Sequence, residues 1–296
     1  MNIPRHWAKA ERSVTLGTRT YHFVAWQGSD LSLEDARHKA RLALEARIAR
    51  KERGERLGSY PKDGRPLREE VVEEVTDADG RRVAVVTRNA AGCLVLNTAR
   101  VMFVDLDFAN QHVPWKLPSA GSLLEALTGW LRPRPKVSVP PPHTEEGLLH
   151  KVREWHAQHP DWTIRVYRTR AGLRLLAAHD LFDPAAPAVR AWMEDLGADL
   201  RYIRLCQSQA CFRARLTPKP WRMKGDRMKR PTTRYPWASG QEERAQREWE
   251  RVYASRIRNF SVCKVLANLG SSPVDPEAEQ ILLLHDRYVL GDKPLA

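Results

Sequence analysis

Residues Val101-Met102-Phe103-Val104-Asp105-Leu106-Asp107-Phe108 form an apolar run that turns into strict alternation and presents two carboxylates. Alternation of this kind marks a β-strand, whose successive side chains point to opposite faces. Asp105 and Asp107 therefore share a face, about 6–7 Å apart. Two acids side by side on a sheet repel each other unless a cation, a basic side chain or a shared proton sits between them. The rest of the chain is read for what supplies that partner.

The 296 residues suffice for one large or two medium domains. A balance of 49 Lys and Arg against 36 Asp and Glu gives a formal charge of +13. An anionic partner is the leading expectation, with nucleic acid or nucleotides ahead of anionic lipid. No apolar stretch approaches the roughly 20 residues of a membrane span, and Met1 to His6 lacks a signal peptide's apolar core. A cytoplasmic protein without membrane association is expected. Cys93, Cys206, Cys211 and Cys263 follow no disulfide framework, and Cys206 with Cys211 lacks two further zinc ligands at a fitting spacing, so buried thiols are expected.

The expected fold class is α+β, in three regions. Residues 1–91 hold a β-hairpin around Leu16-Gly17-Thr18, a helix capped by Ser32 and a β-meander over 70–97 that runs into the next region. The helix carries the apolar stripe Ala36, Ala40, Ala43, Leu44 and Ile48, with Arg37, Lys39, Arg41, Arg47, Arg50 and Lys51 around it. Residues 92–220 form the core, interrupted by a proline-rich insertion over 109–143 that includes a short helix at 122–131. Residues 221–296 comprise a basic loop and a C-terminal helical unit over 241–256, 260–269 and 275–288.

Within the core the succession is the Asp105 strand, a helix from Thr144, strands over 161–168 and 173–178, helices from Asp183 and Leu200, and a strand over 210–216. That order matches the split βαββαβ arrangement of ferredoxin-like and RNA-recognition (RRM-like) folds, in which the first strand is central, helices cover one face and the other is left for ligand. The open face would then show Asp105 and Asp107 flanked by Arg174 and by Arg213 with Arg215, with Arg165 and Tyr167 further out. From Arg213 to Arg234 basic residues alternate with Trp221, suiting phosphate contacts and base stacking.

Phe103-Val104-Asp105-Leu106-Asp107 resembles the first motif of the archaeo-eukaryotic primases and primase-polymerases, and Tyr167-Arg168-Thr169-Arg170-Ala171-Gly172-Leu173-Arg174 resembles their second. The resemblance covers about residues 92 to 220 and implies a metal-dependent nucleotidyltransferase that joins nucleoside triphosphates on a nucleic-acid template. Asp105 and Asp107 would be catalytic and would hold Mg²⁺ or Mn²⁺. Thr169, Arg170, Gly172, Arg174, Arg213, Arg215 and Lys219 would bind the nucleotide, and Trp221, Arg222, Lys224, Lys229, Arg230 and Arg234 the strand. Two departures stand out. Arg174 occupies the place of a histidine, and the strand expected to carry a third acid offers Arg213 and Arg215, leaving Asp180, Asp183 and Asp199 outside it.

A non-enzymatic nucleic-acid-binding protein on the same core, its catalysis lost, is the alternative. A protein-interaction factor that meets an acidic partner through its positive surface is a third. The histidines, His285 included, have no triad or metal spacing and are expected to be packing or surface residues.

Overall fold

The computed structural model describes residues 1–55, 67–108, 141 and 143–296. Among these, ten strands form three antiparallel sheets, accompanied by six helices. Residues 56–66, the helix expected over 122–131 and nearly all of the proline-rich insertion lie outside the described residues.

Strands β1 (His6–Leu16) and β2 (Arg19–Ser29) pair from His6↔Ser29 to Leu16↔Arg19. Helix α1 (Leu33–Glu52) starts where the Ser32 side chain accepts from the Asp35 N–H at 3.0 Å, as an N-cap should. Ala36, Ala40, Leu44 and Ile48 are its buried stripe. The small side chains of Ala36 and Ala40 pack against Ala8, and Leu44 and Ile48 against Phe23 and Ala25 of the hairpin.

The expected meander is β3 (Glu70–Thr76), β4 (Arg82–Arg88) and β5 (Leu94–Thr98). Its turns are closed by side chains. Asp77 Oδ1 accepts from Asp79 and Arg81 N–H, and Asn89 Oδ1 accepts from Ala91 and Cys93 N–H. Strand β6 (Phe103–Asp107) follows, then α2 (Glu145–Ala157), the hairpin β7 (Ile164–Thr169) and β8 (Gly172–Ala177), α3 (Pro187–Leu196), α4 (Leu200–Gln209) and β9 (Phe212–Arg215).

The strand pairing departs from the expected arrangement. β9 pairs with β5, giving a sheet in the order β3-β4-β5-β9, while β6 pairs with β8 alone, at the end of the order β10-β7-β8-β6. Ladder bonds therefore run across residue 91 and join strands on either side of residue 220.

The C-terminal region is also not a purely helical unit. After α5 (Gly240–Ile257), residues expected to be helical form strand β10 (Cys263–Leu269), which pairs with β7 before α6 (Pro276–Val289). The stripe Ala278, Ile281, His285 and Val289 of α6 is buried. It lies over the face that holds Phe103 and Tyr167, with the His285 ring 5.1 Å and 4.8 Å from theirs. Asp286 accepts from the Tyr167 hydroxyl at 2.6 Å and pairs with Arg165 at 3.0 Å. The face expected to be open is thus covered along much of its length. The reason is chemical: Phe103 and Leu176 share that face with the acids, and such apolar area is not left in water.

Candidate functional site

β6 goes from core to rim within five residues. Phe103 is fully buried, Asp105 is partly exposed and Asp107 is exposed. On the paired strand, Asp105 stands opposite Arg174 and Asp107 opposite Gly172, so both acids share a face as expected. That pairing decides the chemistry of Asp105. Arg174 Nε and Nη2 donate to its two oxygens at 2.7 and 3.1 Å.

Arg174 is 1% exposed, so the residue expected to meet phosphate is a buried counter-ion. Its Nη1 donates to the Arg215 carbonyl at 2.9 Å and lies 3.3 Å from His285 Nε2. A buried guanidinium needs such company, because desolvation without partners is prohibitive. Asp105 and its other neighbours keep Arg174 protonated, against the effect of burial.

β6 and β9 face each other without a ladder, and side chains span the gap. The Tyr202 hydroxyl, from α4, donates to one of two carbonyls 3.0 Å away, Phe103 and Arg213, and accepts from the Arg213 N–H at 3.3 Å. With the bond from Arg174 to Arg215, this satisfies polar groups that strand pairing would otherwise have used.

Around the exposed end of β6 lies a ring of charge. Burial, then the charge of Asp105, raises the Asp107 carboxyl above its ordinary range; Lys219 and Arg222 oppose this and Asp199 reinforces it. Burial, then Arg222 and Arg215, pushes the Lys219 ammonium down. Burial and the neighbouring Arg174 do the same to Arg215, whose Nη1 donates to the Thr217 carbonyl at 3.0 Å. Among the described residues, Arg215, Lys219 and Arg222 form no ion pair. Arg215, Lys219 and Arg222 thus stand as like charges beside two strand carboxylates.

In the second motif, side chains bond to nearby backbone carbonyls. Thr169 Oγ1 donates to the Gly172 carbonyl at 3.1 Å, closing the β7–β8 hairpin. Arg170 Nη1 donates to the Arg222 carbonyl and ties that hairpin to the basic loop. A Cβ on Gly172 would overlap the Leu106 carbonyl, so glycine is required for strand approach.

Arg213 is not at the rim. It is buried, with Nη2 2.9 Å from both oxygens of buried Glu69, which also accepts from Thr87. The residue expected to contact phosphate is engaged in a core ion pair. In the loop, Lys224, Lys229, Arg230 and Arg234 are exposed and Trp221 is partly buried, with the Arg230 guanidinium 4.3 Å from its ring centre.

Sequence reasoning missed Tyr202, Glu69 and the role of His285, all of which act through partners distant in the chain. Asp199, considered only from outside the strand, comes within electrostatic reach of Asp107 as the N-cap of α4, its side chain accepting from Arg201 N–H at 2.7 Å. Among the described residues no three His, Cys, Asp or Glu side chains are grouped to hold a metal ion. No family model, no curated protein and no solved structure matches the chain.

Proposed function

We propose that this is a nucleic-acid-associated protein whose β6 rim is a divergent primase-polymerase-type site for nucleoside triphosphates. The observation that carries the reading is the placement of Asp105 and Asp107 on one face at the emerging end of β6, with Lys219, Arg222 and Arg215 around them. On this reading the β6-to-β9 succession is a split βαββαβ unit opened between its first and last strands. Mg²⁺ is commonly bound by one or two carboxylates together with substrate phosphates. On this reading Asp107 and Asp105 would hold such a cation together with the nucleotide phosphates. It would supply charge neutralisation at the phosphates. Lys219, Arg222 and Arg215 would take the remaining phosphate charge.

A second reading has its own support. The bidentate bond from Arg174 already uses both oxygens of Asp105. That bond favours a binding protein in which catalysis has lapsed.

Incorporation of labelled nucleotide on a template, with Mg²⁺ or Mn²⁺, separates the two. The first reading expects incorporation that is lost in Asp107→Asn. Activity that survives Asp107→Asn excludes this site; metal-independent, salt-sensitive binding without incorporation favours the second.

A further inference from the structure

Away from the carboxylates, α5 and residues 228–233 enclose a cleft of about 420 Å³, lined by Lys229, Arg230, Thr232, Trp249 and Arg256 among others. Among the described residues, none that lines it is acidic. Lys229 and Arg230 are exposed, and among the described residues neither they nor Arg256 forms an ion pair. Arg256 instead fixes the loop, its Nη1 donating to the Arg227 carbonyl at 3.1 Å.

The aromatic wall of this cleft is held rigidly. The Trp249 ring stacks on Tyr253, with centres 4.8 Å apart and planes 19° from parallel. Its Nε1 donates to the Lys229 carbonyl at 3.0 Å. Its far edge rests against Gly92, where a Cβ would overlap the ring and where φ is +83°. An indole clamped on three sides has little orientational freedom left to lose when a flat ligand meets it.

The geometry points to this cleft as a docking site for an unpaired nucleobase of a single-stranded nucleic acid, with Trp249 as the stacking platform and Lys229, Arg230 and Arg256 facing the flanking phosphates. The volume lies within the roughly 300–1,000 Å³ of small-ligand sites. An aromatic face beside uncompensated cations is the chemistry of sequence-tolerant strand binding. A duplex would not satisfy it, because paired bases present no free face. The inference rests on the nucleic-acid reading of the chain but not on the carboxylate rim, so the two can fail separately.

The test is fluorescence anisotropy of a labelled oligothymidylate with the full-length protein at low salt. Trp249→Leu is expected to weaken binding about tenfold, the scale of losing one base stack, and Trp249→Phe to retain most of it. An abasic oligonucleotide of equal length should bind the wild-type protein as weakly as the oligothymidylate binds Trp249→Leu. Circular dichroism of Trp249→Leu checks that the fold persists. If Lys229→Glu with Arg230→Glu weakens binding while Trp249→Leu and the abasic strand change nothing, the cleft is only a charged surface and the inference is overturned. Absence of oligonucleotide binding by the wild-type protein overturns it together with the nucleic-acid reading.

Discussion

His285 Nε2 lies 3.3 Å from Arg174 Nη1, and because a guanidinium has no lone pair to offer, the imidazole nitrogen is the acceptor. The proton then sits on Nδ1, 3.3 Å from Asp286 Oδ1. A neutral histidine is thereby built into the centre of the fold, between α6 and the strand that holds Asp105.

This arrangement fixes a pH dependence of stability. Burial and the Arg174 charge push the His285 pKa down to about 4, against the pull of Asp286, from an unfolded value of about 6.5. Between those values the unfolded chain takes up a proton that the folded chain refuses. Stability is therefore expected to fall as pH drops through this window, by on the order of 3 kcal/mol when the window has been crossed. Urea midpoints between neutral pH and the lower end of the window measure it. His285→Gln keeps an acceptor for Arg174 and should flatten the slope; an unchanged slope would assign it to other groups.

The ion pair between Asp105 and Arg174 is asymmetric, with the carboxylate side chain 38% exposed and the guanidinium side chain 2% exposed. Asp105→Ala strands a buried cation beside Arg215 and is expected to cost about 3–5 kcal/mol. Arg174→Met leaves a carboxylate that water reaches and should cost about half as much. Equilibrium denaturation of the two variants decides it, and equal losses would mean that burial does not set the balance. The asymmetry bears on function, since lost incorporation in Asp105→Ala would report folding as much as chemistry.

Much of the fold is legible in local pattern because the governing contacts are local. The α1 stripe, the two Asx-closed turns and the alternation of β6 follow from spacing alone. β10 is harder to read, because a short apolar run such as 260–269 has no period that separates strand from helix. Val262 and Val265, with Gly270 at φ +82° just beyond, are the local signs of the strand. The choice of β5 over β6 as partner for β9 is set by long-range packing, which alternation within one strand does not encode. The site follows the same division. The shared face of Asp105 and Asp107 was readable; the burial of Arg213 was not, since it depends on Glu69, separated from it by 144 positions. The cover over the sheet had a visible sign in Phe103 and Leu176, which occupy the acids' own face.

Gly172 separates a structural from a ligand-binding role for the second motif. Because its missing Cβ makes room for the Leu106 carbonyl, Gly172→Ala should force β6 and β8 apart at a cost of about 3 kcal/mol or more, the upper end for overpacking. Gly80→Ala is the control. That residue has φ +76° and open space around it, so only backbone strain of about 1–2 kcal/mol is expected. Thermal unfolding compares the pair, and a Gly172→Ala protein of unchanged stability would return the residue to a ligand role.

Asp107 is expected to work against the stability of its own fold. Burial and Asp105 raise its carboxyl pKa, with Asp199 adding to them, while Lys219 and Arg222 only partly compensate. A raised carboxyl stabilises the fold where it is protonated, below the unfolded value of about 3.9. That contribution is lost as pH rises through the folded value, so at neutral pH the folded protein carries a charge it disfavours. Asp107→Asn removes that charge and should raise the unfolding midpoint at pH 7, by only a few tenths of a kcal/mol because the side chain is exposed. The same variant should lose nucleotide incorporation. A residue whose removal stabilises the fold and abolishes activity is positioned for chemistry rather than for packing. If Asp107→Asn instead lowers the midpoint, the rim cations already neutralise Asp107 in the folded protein, and the argument for a phosphate-bound cation there loses its electrostatic basis.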